Sequence, residues 1–495
     1  MTIPIVDLFA GPGGLGEGFS SFKDHRSSSD RFRIALSIEK DPTAHSTLTL
    51  RAFRRQFEGV PVCYGRIQNG ELTVSEALDL HPMQARAARR EAVQLELSAE
   101  TADEVSARIR TVIGKSDRWV LIGGPPCQAY SLVGRSRNRG NASYEADTDP
   151  RQRLYIEYLQ VLAAHAPPIF VMENVKGLLS AVLDGETVFD KIVADLADPA
   201  RSDSLIGRRR ASSKPRYRII PFTKSVSDAV RDPRDFIIRA EEYGVPQARH
   251  RVILLGIRED IAHDGLQLLR KRRAASVGEK IDGLPRVRSG LTPARIDSPS
   301  EWTRALKNAL GSGWFKELEP ALKQTIRSAV ERAGETELSR GAEILRVSSR
   351  RLVTHHSTRG HIPEDLQRYL FAASFADTYG HSPVLSEFPL ALLPHHASVG
   401  QALSGGHFAD RFRVQMQDRP ATTITSHISK DGHYFIHYDP SQCRSLTVRE
   451  AAILQTFPED YIFCGPRTEQ YHQVGNAVPP MLAQQLAAVV HSVIG

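Results

Sequence analysis

A cysteine follows a rigid turn at the end of a predicted strand. The turn is Gly123-Gly124-Pro125-Pro126, and Cys127 comes directly after it. Two glycines and two prolines fix the backbone there, so the thiol is presented outside the strand interior, as nucleophilic catalysis requires. Most cysteines are instead small buried apolar side chains, and the flanking Pro-Pro-Cys-Gln sequence disfavours that reading. We therefore predict that Cys127 is a nucleophile.

Charged side chains stand at two other strand ends. Met172-Glu173-Asn174-Val175 ends one predicted strand, and a glutamate near the thiol could hold a proton or share it with a base. Gln247-Ala248-Arg249-His250-Arg251 leads into the last clear strand. Because side chains alternate along an extended segment, Arg249 and Arg251 are expected on one face.

A glycine-rich turn follows the first predicted strand. Its sequence is DLFAGPGGLG, residues 7–16, and glycines there let the backbone approach a ligand closely. The spacing is not GxGxxG, so a tight strand–helix connection explains the turn equally well. The second strand ends in Glu39-Lys40, where a carboxylate is placed to accept hydrogen bonds from ribose hydroxyls. Together, the turn and Glu39 favour a cofactor site.

Short apolar runs bounded by turns recur along the chain, with helical patterns between several of them. The predicted strands are Ile3–Phe9, Ile34–Ile38, Trp119–Ile122, Ile169–Met172, Phe236–Ile238 and Val252–Ile257. The predicted helices are Arg151–His165, Val175–Leu183, Leu446–Phe457 and Pro480–Ile494. This alternation indicates a parallel α/β sheet buried on both faces, and we expect the last helix to pack back on that sheet.

The regular pattern stops near Arg258, and the chain from there to about Pro394 is predicted to be irregular. Two further stretches, Gly70–Ser116 and Leu196–Arg218, have the appearance of charge-rich insertions. Runs of charge are more often solvated surface than nucleic-acid contacts, and we interpret these stretches in that way.

Bulk properties set limits on the class of protein. A length of 495 residues predicts two or three domains. The formal net charge of +7 suits a polyanionic partner but is common among soluble proteins. The four cysteines have no CxxC spacing, which disfavours structural zinc and a disulfide framework. We find neither a secretory signal nor an apolar run of membrane-spanning length, and we expect a cytoplasmic protein.

The motifs and their order resemble the DNA cytosine-5 methyltransferase family. The matching segments are DLFAGPGG, GGPPCQAYS, MENV, QARHR, RPATTITS (Arg419–Ser426), LTVREAAILQTFP (Leu446–Pro458) and QVGNAVPP (Gln473–Pro480). The resemblance implies a Rossmann-like α/β S-adenosylmethionine-dependent methyltransferase sheet with a smaller inserted target-recognition domain. It also implies methyl transfer from S-adenosyl-L-methionine to C5 of cytosine in a short sequence of double-stranded DNA, releasing S-adenosyl-L-homocysteine.

The resemblance assigns catalytic roles to residues of this sequence. Cys127 attacks C6 of a cytosine that has been flipped out of the duplex, and Glu173 meets the ring N3 and the exocyclic amine. Arg249 and Arg251 brace Glu173 and the base with fixed positive charge. The segment Ser131–Thr148 is expected to close over the site.

The resemblance also assigns a cofactor site, in which Phe9 contacts the adenine and Glu39 the ribose. The other expected contacts are Ala10, Gly11, Gly13, Gly14, Lys40, Gly124, Pro126, Asn476 and Val478. Members usually have an acidic residue after the third strand to hold the adenine amine. Our alignment puts Arg66 at that position, within Gly65-Arg66-Ile67, which leaves the amine contact in doubt.

Domain boundaries follow from the same comparison of motifs. Residues 1–257, with an insertion at about 70–116, and residues 419–495 form the catalytic part, and residues 258–418 form the recognition domain. Arginines are the expected base readers in the major groove. No metal is expected, because the histidines of the recognition region have no cysteine nearby; they are His355, His356 and His361. A monomer is expected, with cognate restriction or defence proteins as partners.

Three other functions agree less well with the sequence. A tRNA cytosine-5 methyltransferase keeps PPC and ENV, but the large recognition region and the complete RPATTIT and GNAVPP segments favour DNA. A catalytically silent DNA-binding relative would lack Cys127, Glu173 or the QARHR arginines, and all are present. An adenine N6 enzyme would show an Asp/Asn-Pro-Pro-aromatic turn in place of PPCQ.

Overall fold

The structure is a computed structural model. It describes residues 2–24, 30–126, 150–183, 186–202, 205, 215–224, 232–262, 265–292, 297–333, 337–338, 344–346, 352–395, 399–400 and 409–495. The chain forms two compact units. Unit 1 comprises Met1–Pro61, Val74–Arg273 and Ala477–Gly495, and unit 2 comprises Val62–Thr73 and Ala274–Asn476.

Unit 1 contains an eight-stranded sheet. Its strands are β1 Ile3–Leu8, β2 Phe32–Glu39, β3 Ala92–Gln94, β4 Val120–Gly123, β5 Ile169–Val175, β6 Tyr217–Pro221, β7 Ile237–Arg239 and β8 His250–Arg258. The order is β3-β2-β1-β4-β5-β8-β6, with β7 also paired to β8. Strands β1 to β5 are mutually parallel, whereas β8 runs antiparallel to β5, β6 and β7.

The helices alternate with these strands in unit 1 and dominate unit 2. They are α1 Gly14–Ser20, α2 Pro42–Arg55, α3 Val62–Gln68, α4 Val74–Leu80, α5 Pro82–Glu91, α6 Ala102–Ile113, α7 Pro150–His165, α8 Val188–Ala197, α9 Val277–Ile281, α10 Pro299–Leu310, α11 Gly313–Glu317, α12 Pro320–Arg332, α13 Pro363–Tyr379, α14 Val448–Leu454, α15 Arg467–Asn476 and α16 Pro480–Ile494. Short 3-10 helices span Lys176–Ser180, Pro199–Arg201, Pro233–Phe236, Ala240–Glu242, Leu385–Glu387, Leu390–Leu392 and Ser426–Ser429.

Two- and three-residue strands occur outside the main sheet. They are Val182–Leu183, Glu186–Thr187, Gln247–Ala248, Val287–Arg288, Gly290–Leu291, Glu337–Leu338, Ile344–Arg346, Leu352–Thr354, Gly360–His361, Val414–Gln415, Ala421–Thr422 and Ile436–His437.

Both faces of the sheet are buried, because alternate side chains of each strand enter different hydrophobic clusters. On β1, Ile3 and Ile5 join the cluster that contains Leu482 and Leu486 of α16. Val6 and Leu8 join the cluster on the opposite face, with α6 and α7. The predicted α/β sheet, buried on both faces, and the docking of the last helix on it are therefore confirmed. The sheet is mixed and not wholly parallel as predicted, because β8 runs antiparallel to its neighbours.

Two parts of unit 1 differ from the prediction. Residues 92–94 form β3 and pair with β2, and α6 packs on the sheet, so much of the stretch predicted as an insertion (70–116) belongs to the sheet itself. The region predicted as a helix at Val175–Leu183 is a 3-10 turn followed by a short strand. Strands β3 and β6 were missed, because β3 is only three residues long and β6 ends a charge-rich stretch.

Unit 2 is helical where the sequence predicted an irregular chain. Helices α10, α12 and α13 surround a core that includes Trp302, Ile326 and Tyr369. Their apolar residues recur at helical spacing but are diluted by Lys, Arg and Gln, so the pattern was overlooked. The boundaries predicted at residues 258 and 419 concern function and remain predictions. By contacts alone, residues 419–476 group with unit 2.

One segment of the described chain, residues 467–494, is long and apolar enough to cross a membrane. Within its most apolar window 61% of the residues are buried inside the protein, and α16 contributes to the core on one face of the sheet. Burial of this kind is what a core helix shows.

Replacing Gly18 of α1 by alanine should destabilise unit 1. A Cβ at this position would lie 2.3 Å from the Cβ of Ala483 and 2.4 Å from the carbonyl oxygen of Pro480, so α1 and α16 would have to separate. Overpacking of this kind costs about 1–3 kcal/mol, and we expect a lower midpoint in thermal unfolding followed by circular dichroism. Gly65→Ala in α3, where no atom lies within 4 Å, is the matched control. Equal midpoints for both variants would contradict the packing described here.

Candidate active site

The carboxyl ends of four parallel strands meet at one edge of the sheet in unit 1. Leu8 at the end of β1 is level with Ile38 of β2 and Gly123 of β4, and Gly123 is level with Met172 of β5. The residues that follow are therefore neighbours, although they are far apart in sequence. Open α/β sheets bind their ligands at this edge.

The glycine-rich turn has backbone angles that need its glycines. Gly11 has φ +56° and Gly13 has φ +92°, a left-handed region that glycine enters without steric cost. The N–H of Gly13 donates to the carbonyl of Ala10 at 2.9 Å, and α1 begins at the next residue. A Cβ on Gly14 would lie 2.4 Å from the carbonyl oxygen of Val478, so that glycine permits a close backbone approach.

Glu39 connects the glycine turn to the end of β2. Its Oε2 accepts a hydrogen bond from the Gly11 N–H at 2.8 Å, and its Oε1 accepts one from the Asp41 N–H at 2.8 Å. Asp41 in turn caps α2 by accepting from the N–H groups of Thr43 and Ala44. A carboxylate has about four acceptor positions, so the half-buried Glu39 retains capacity to accept from a ligand hydroxyl.

The acidic residue after the third strand is Glu96, which corrects the alignment made from sequence. Arg66 lies on α3 in unit 2 and does not follow a strand of the sheet. Beyond β3, the N–H of Leu95 donates to the carbonyl of Glu39, and Glu96 Oε1 lies 3.2 Å from Lys40 Nζ. The sequence alignment is wrong at this position because β3 lies within the stretch 70–116, which was predicted to be an insertion.

These residues fit a cofactor that carries a nucleoside. No atom lies within 4 Å of where a Cβ of Gly11 would stand, so the turn is open on that side. Phe9, a half-buried aromatic residue, holds a left-handed backbone with φ +58°. The two carboxylates at the ends of β2 and β3, Glu39 and Glu96, provide hydrogen-bond acceptors for hydroxyl and amine groups.

Glu173 is held by a basic side chain and by the turn that follows β4. Its Oε1 pairs with Arg251 Nε at 2.9 Å, and both side chains are about 15% exposed, at 14% and 15% respectively. Its Oε2 would lie 2.9 Å from a Cβ on Gly124, so any other residue at that position would require the carboxylate to shift. The carboxyl group is therefore fixed beside the Pro125-Pro126 segment.

Asn174 is a further residue of this arrangement that sequence reasoning did not single out. Its side-chain amide donates to the carbonyl of Pro125 at 3.3 Å, and its oxygen accepts from the Val175 N–H at 2.8 Å. The side chain is buried. Asn174 therefore links the end of β5 to the Pro125 turn. In the sequence, its position next to Glu173 is the one feature that could have indicated a role.

Arg249 is almost fully buried, at 1% exposed. Burial lowers its pKa, the neighbouring charge of Arg251 lowers it further, and Glu173 acts in the opposite direction. A guanidinium keeps its proton in proteins, so two positive charges share the surroundings of one carboxyl group. The Arg249 N–H donates to the Gln247 carbonyl at 2.9 Å, which bends the chain before β8.

Asp7 was quoted in the glycine motif but given no role, and it lies beneath the glycine turn. It is buried, and burial followed by the charge of Glu39 raises its pKa to about 8. Arg55 and a hydrogen bond from the Gly16 N–H oppose that shift. Asp7 thus accepts a hydrogen bond from a backbone N–H in the first turn of α1. Its raised pKa favours the protonated carboxyl group at neutral pH.

The remaining predicted site residues differ in how they are described. Cys127 and the segment Ser131–Thr148 lie outside the described residues. Pro126 is half-buried after β4, Lys40 is exposed, and Ala10 is buried. Asn476 is the exposed last residue of α15 in unit 2, whereas Val478 belongs to unit 1.

The described cysteines are poorly suited to nucleophilic attack. Cys63 and Cys443 are buried, and burial raises the pKa of both thiols, which disfavours the thiolate. Cys464 is half-buried and lies in unit 2.

Histidines of unit 2 are used in its core. His355 contacts Gln470 and the Phe463 N–H, and His356 contacts Thr447 and the Pro285 carbonyl, through both ring nitrogens in each case. Burial lowers the pKa of His355 and of His361 to about 3. Within the described part of the chain, no group of three or more His, Cys, Asp or Glu side chains could hold a metal ion.

Comparison with known proteins identifies the family. The family model for C-5 cytosine-specific DNA methylases matches residues 99–199 and 236–492, which is more than half of the chain. The chain belongs to this family. This methyltransferase is 30% identical to Type II methyltransferase M.Bpa9945I of Bacillus paralicheniformis over 99% of each chain. It is 27% identical to DNA (cytosine-5-)-methyltransferase M.ApeKI of Aeropyrum pernix, covering 76% of this chain and 82% of that one.

A solved structure supports the fold. A prophage-encoded protein of Escherichia coli, described as a DNA modification methyltransferase, matches 99% of each chain with a TM-score of 0.50 and 15% identity. This methyltransferase therefore has the α/β fold of S-adenosylmethionine-dependent methyltransferases. Its membership of the cytosine-5 DNA methylase family implies S-adenosylmethionine as the methyl donor.

Replacing Asp7 by asparagine should change how stability depends on pH. Because the folded protein holds Asp7 with a pKa of about 8, against 3.8 for an unperturbed aspartate, the unfolded chain releases that proton at lower pH. The wild type therefore loses stability as pH rises from about 4 to 8, by at most about 1.4 kcal/mol per pH unit. Asp7→Asn removes this loss, so its thermal midpoint should rise relative to wild type with increasing pH.

The same change at exposed Asp79 of α4 is the control for the substitution itself. Parallel pH profiles for wild type and Asp7→Asn would show that Asp7 is ionised in the folded protein and would reject this assignment.

Proposed function

We propose that this methyltransferase modifies C5 of cytosine within one short sequence of double-stranded DNA, through a covalent bond between Cys127 and C6 of a flipped base. The observation that best supports this proposal is the fixed position of Glu173, held between Arg251 and Gly124. Gly124 belongs to the turn that precedes Cys127 in the sequence. We infer from this order that the carboxyl group and the thiol act on the same base.

The thiolate of Cys127 would attack C6 of the base and form the C6–S bond, which places electron density on C5 and negative charge on the ring N3. A proton carried by Glu173 would be donated to N3 as that charge develops, and the carboxyl group would contact the exocyclic amine. When bound, S-adenosyl-L-methionine supplies the methyl group that C5 accepts. The C5 proton is then lost to solvent, which restores the C5–C6 double bond and returns the electron pair of the C6–S bond to Cys127, while the proton on N3 returns to Glu173.

Arg249 and Arg251 would act on Glu173 and on the developing charge of the base. Arg251 already pairs with Oε1 of Glu173, which leaves Oε2, on the side of Gly124, to face the base. Arg249 supplies a second positive charge from a buried position. Fixed charge in a site with little water is strongly stabilising, because it needs no rearrangement during the reaction.

The cofactor would be held by the glycine turn and the two neighbouring strand ends. Phe9 would contact the adenine, Gly11, Gly13 and Gly14 would allow the close approach of the backbone, and Glu39 would accept from the ribose. Ala10, Lys40, Gly124, Pro126, Asn476 and Val478 complete the predicted set.

Glu96 would accept a hydrogen bond from the adenine amine, the contact that Arg66 could not make. Its position after β3 and its link to Lys40 beside Glu39 support this assignment.

A role in protecting host DNA follows from the kind of relative. M.Bpa9945I and M.AgeI of Thalassovita gelatinovora are named type II methyltransferases, and the second is 26% identical over 98% of each chain. We infer that this chain acts in the cytoplasm as a monomer in a restriction–modification or phage-defence system.

Expression in a host without DNA methylation should produce 5-methylcytosine at one short motif. The measurement is cytosine-methylation sequencing of the genomic DNA, beside a Cys127→Ala control in which methylation should fall below detection because the nucleophile is lost. An unmethylated genome with folded wild-type protein would reject the DNA substrate. Methylated tRNA in the same cells would then identify the alternative substrate.

Glu96→Ala should weaken cofactor binding while leaving the chemical step nearly intact. Loss of one partly exposed hydrogen bond to a carboxylate corresponds to roughly a 3- to 10-fold increase in the Kd for S-adenosyl-L-methionine, with kcat at saturation little changed. Titration calorimetry and steady-state kinetics measure the two quantities. Arg66→Ala is the matched control, and an effect of Arg66→Ala in place of Glu96→Ala would restore the original alignment.

A further inference from the structure

Unit 2 contains a polar cavity of about 400 Å³ that the reaction does not use. Four separate parts of the unit contribute to it, namely Thr292, the segment at 358–360, the turn at 429–430 and the start of α15. Its lining residues are Thr292, Thr358, Arg359, Gly360, Ser429, Lys430, Arg467, Thr468 and Tyr471.

The cavity is positively charged. Three of its described lining residues, Arg359, Lys430 and Arg467, are cationic, and none of them is acidic. Lys430 is exposed and has no ion-pair partner among the described residues. The nearest acids along the chain are engaged elsewhere, because Asp431 lies 3.6 Å from Arg411 and Glu469 lies 3.5 Å from His472.

Arg359 removes the hydrogen-bond acceptors from one wall of the cavity. This buried side chain donates from Nη1 to the carbonyls of Ser429 at 3.0 Å and Lys430 at 2.6 Å, and from Nη2 to the carbonyl of Ile428. Three consecutive carbonyl groups therefore point at one guanidinium. These carbonyl oxygens are therefore neutralised by Arg359 and repel an anion less. The group that this turn presents to the cavity is the Lys430 side chain.

The α15 side of the cavity offers hydrogen-bond donors and no stacking surface. Thr468 is exposed in the first turn of α15, where the helix dipole favours negative charge. The Tyr471 ring is buried, and the Arg359 guanidinium covers it at 4.3 Å from the ring centre. A base could not stack there. An anion with several acceptor oxygens matches the cavity better than a base or an apolar ligand does.

We propose that this cavity binds a backbone phosphate of the duplex DNA substrate, independently of sequence. The inference rests on the proposed function, because the DNA substrate is the source of phosphodiesters. Gly360 contributes to the space, since a Cβ there would lie 2.1 Å from Thr292 Oγ1. A phosphate contact of this kind sets the register of a protein on DNA and adds affinity through counterion release.

The test compares Lys430→Ala, Thr468→Glu and wild type in binding to a duplex without the recognition motif, between about 50 and 200 mM salt. Neutralising one phosphate contributes about 0.9 to the slope of log K against log salt concentration. Lys430→Ala should therefore bind less tightly at low salt, with a slope shallower by about that amount. Thr468→Glu should weaken binding further, because it places a negative charge at the cavity. Lys307→Ala, an exposed lysine of α10 outside the cavity, should match wild type.

The outcomes separate this proposal from the proposed function. Unchanged slopes in variants that methylate DNA and bind the cofactor normally would overturn the cavity assignment alone. A wild-type protein that neither binds nor methylates duplex DNA would overturn both. If inorganic phosphate at constant ionic strength competed with the duplex equally well, the cavity would be a site for free anions. If the cavity variants lost RNA binding but kept DNA binding, the ligand would be RNA. Either result would also overturn the proposal.

Discussion

The ion pair between Glu173 and Arg251 is the interaction on which the arrangement of the strand ends depends. A largely buried carboxyl group needs a positively charged partner at a fixed position. Glu173 meets this requirement through Arg251, across two adjacent antiparallel strands, while Arg249 brings a second charge from the start of the same strand. Removing one member of such a group would leave an uncompensated buried charge, which costs several kcal/mol. The reversed direction of β8 serves this pairing, because it brings the QARHR segment to the edge where the parallel strands end.

Close backbone approach is the second constraint on the site. Gly14 lies against the Val478 carbonyl, and Gly124 lies against the carboxyl group of Glu173. A Cβ on Gly14 would collide with backbone, and a Cβ on Gly124 would displace the carboxylate. The glycines of this chain therefore act in two ways, through φ angles at Gly11 and Gly13 and through the absence of a side chain at Gly14 and Gly124.

The sequence predicted the elements that carry strong apolar runs and distinctive turns. Strands β1, β2, β4, β5 and β8 and the last helix were found because each is an apolar run with clear ends. The three-residue strand β3 was not predicted, because a strand that short has no recognisable periodicity. The position of Glu96 after it was therefore not predicted either. Asn174 and Asp7 were quoted within motifs without a role, since their importance lies in what they contact, Pro125 and the start of α1, and sequence does not show contacts.

The packing of α16 has a consequence for synthesis of the protein. One face of the sheet is completed by residues 480–494, while the strands that it covers begin at Ile3. A ribosome makes those strands long before the covering helix. The catalytic unit of a nascent chain therefore keeps an apolar face open to solvent until residues 480–494 have been made, and this enzyme should depend on chaperones during that time.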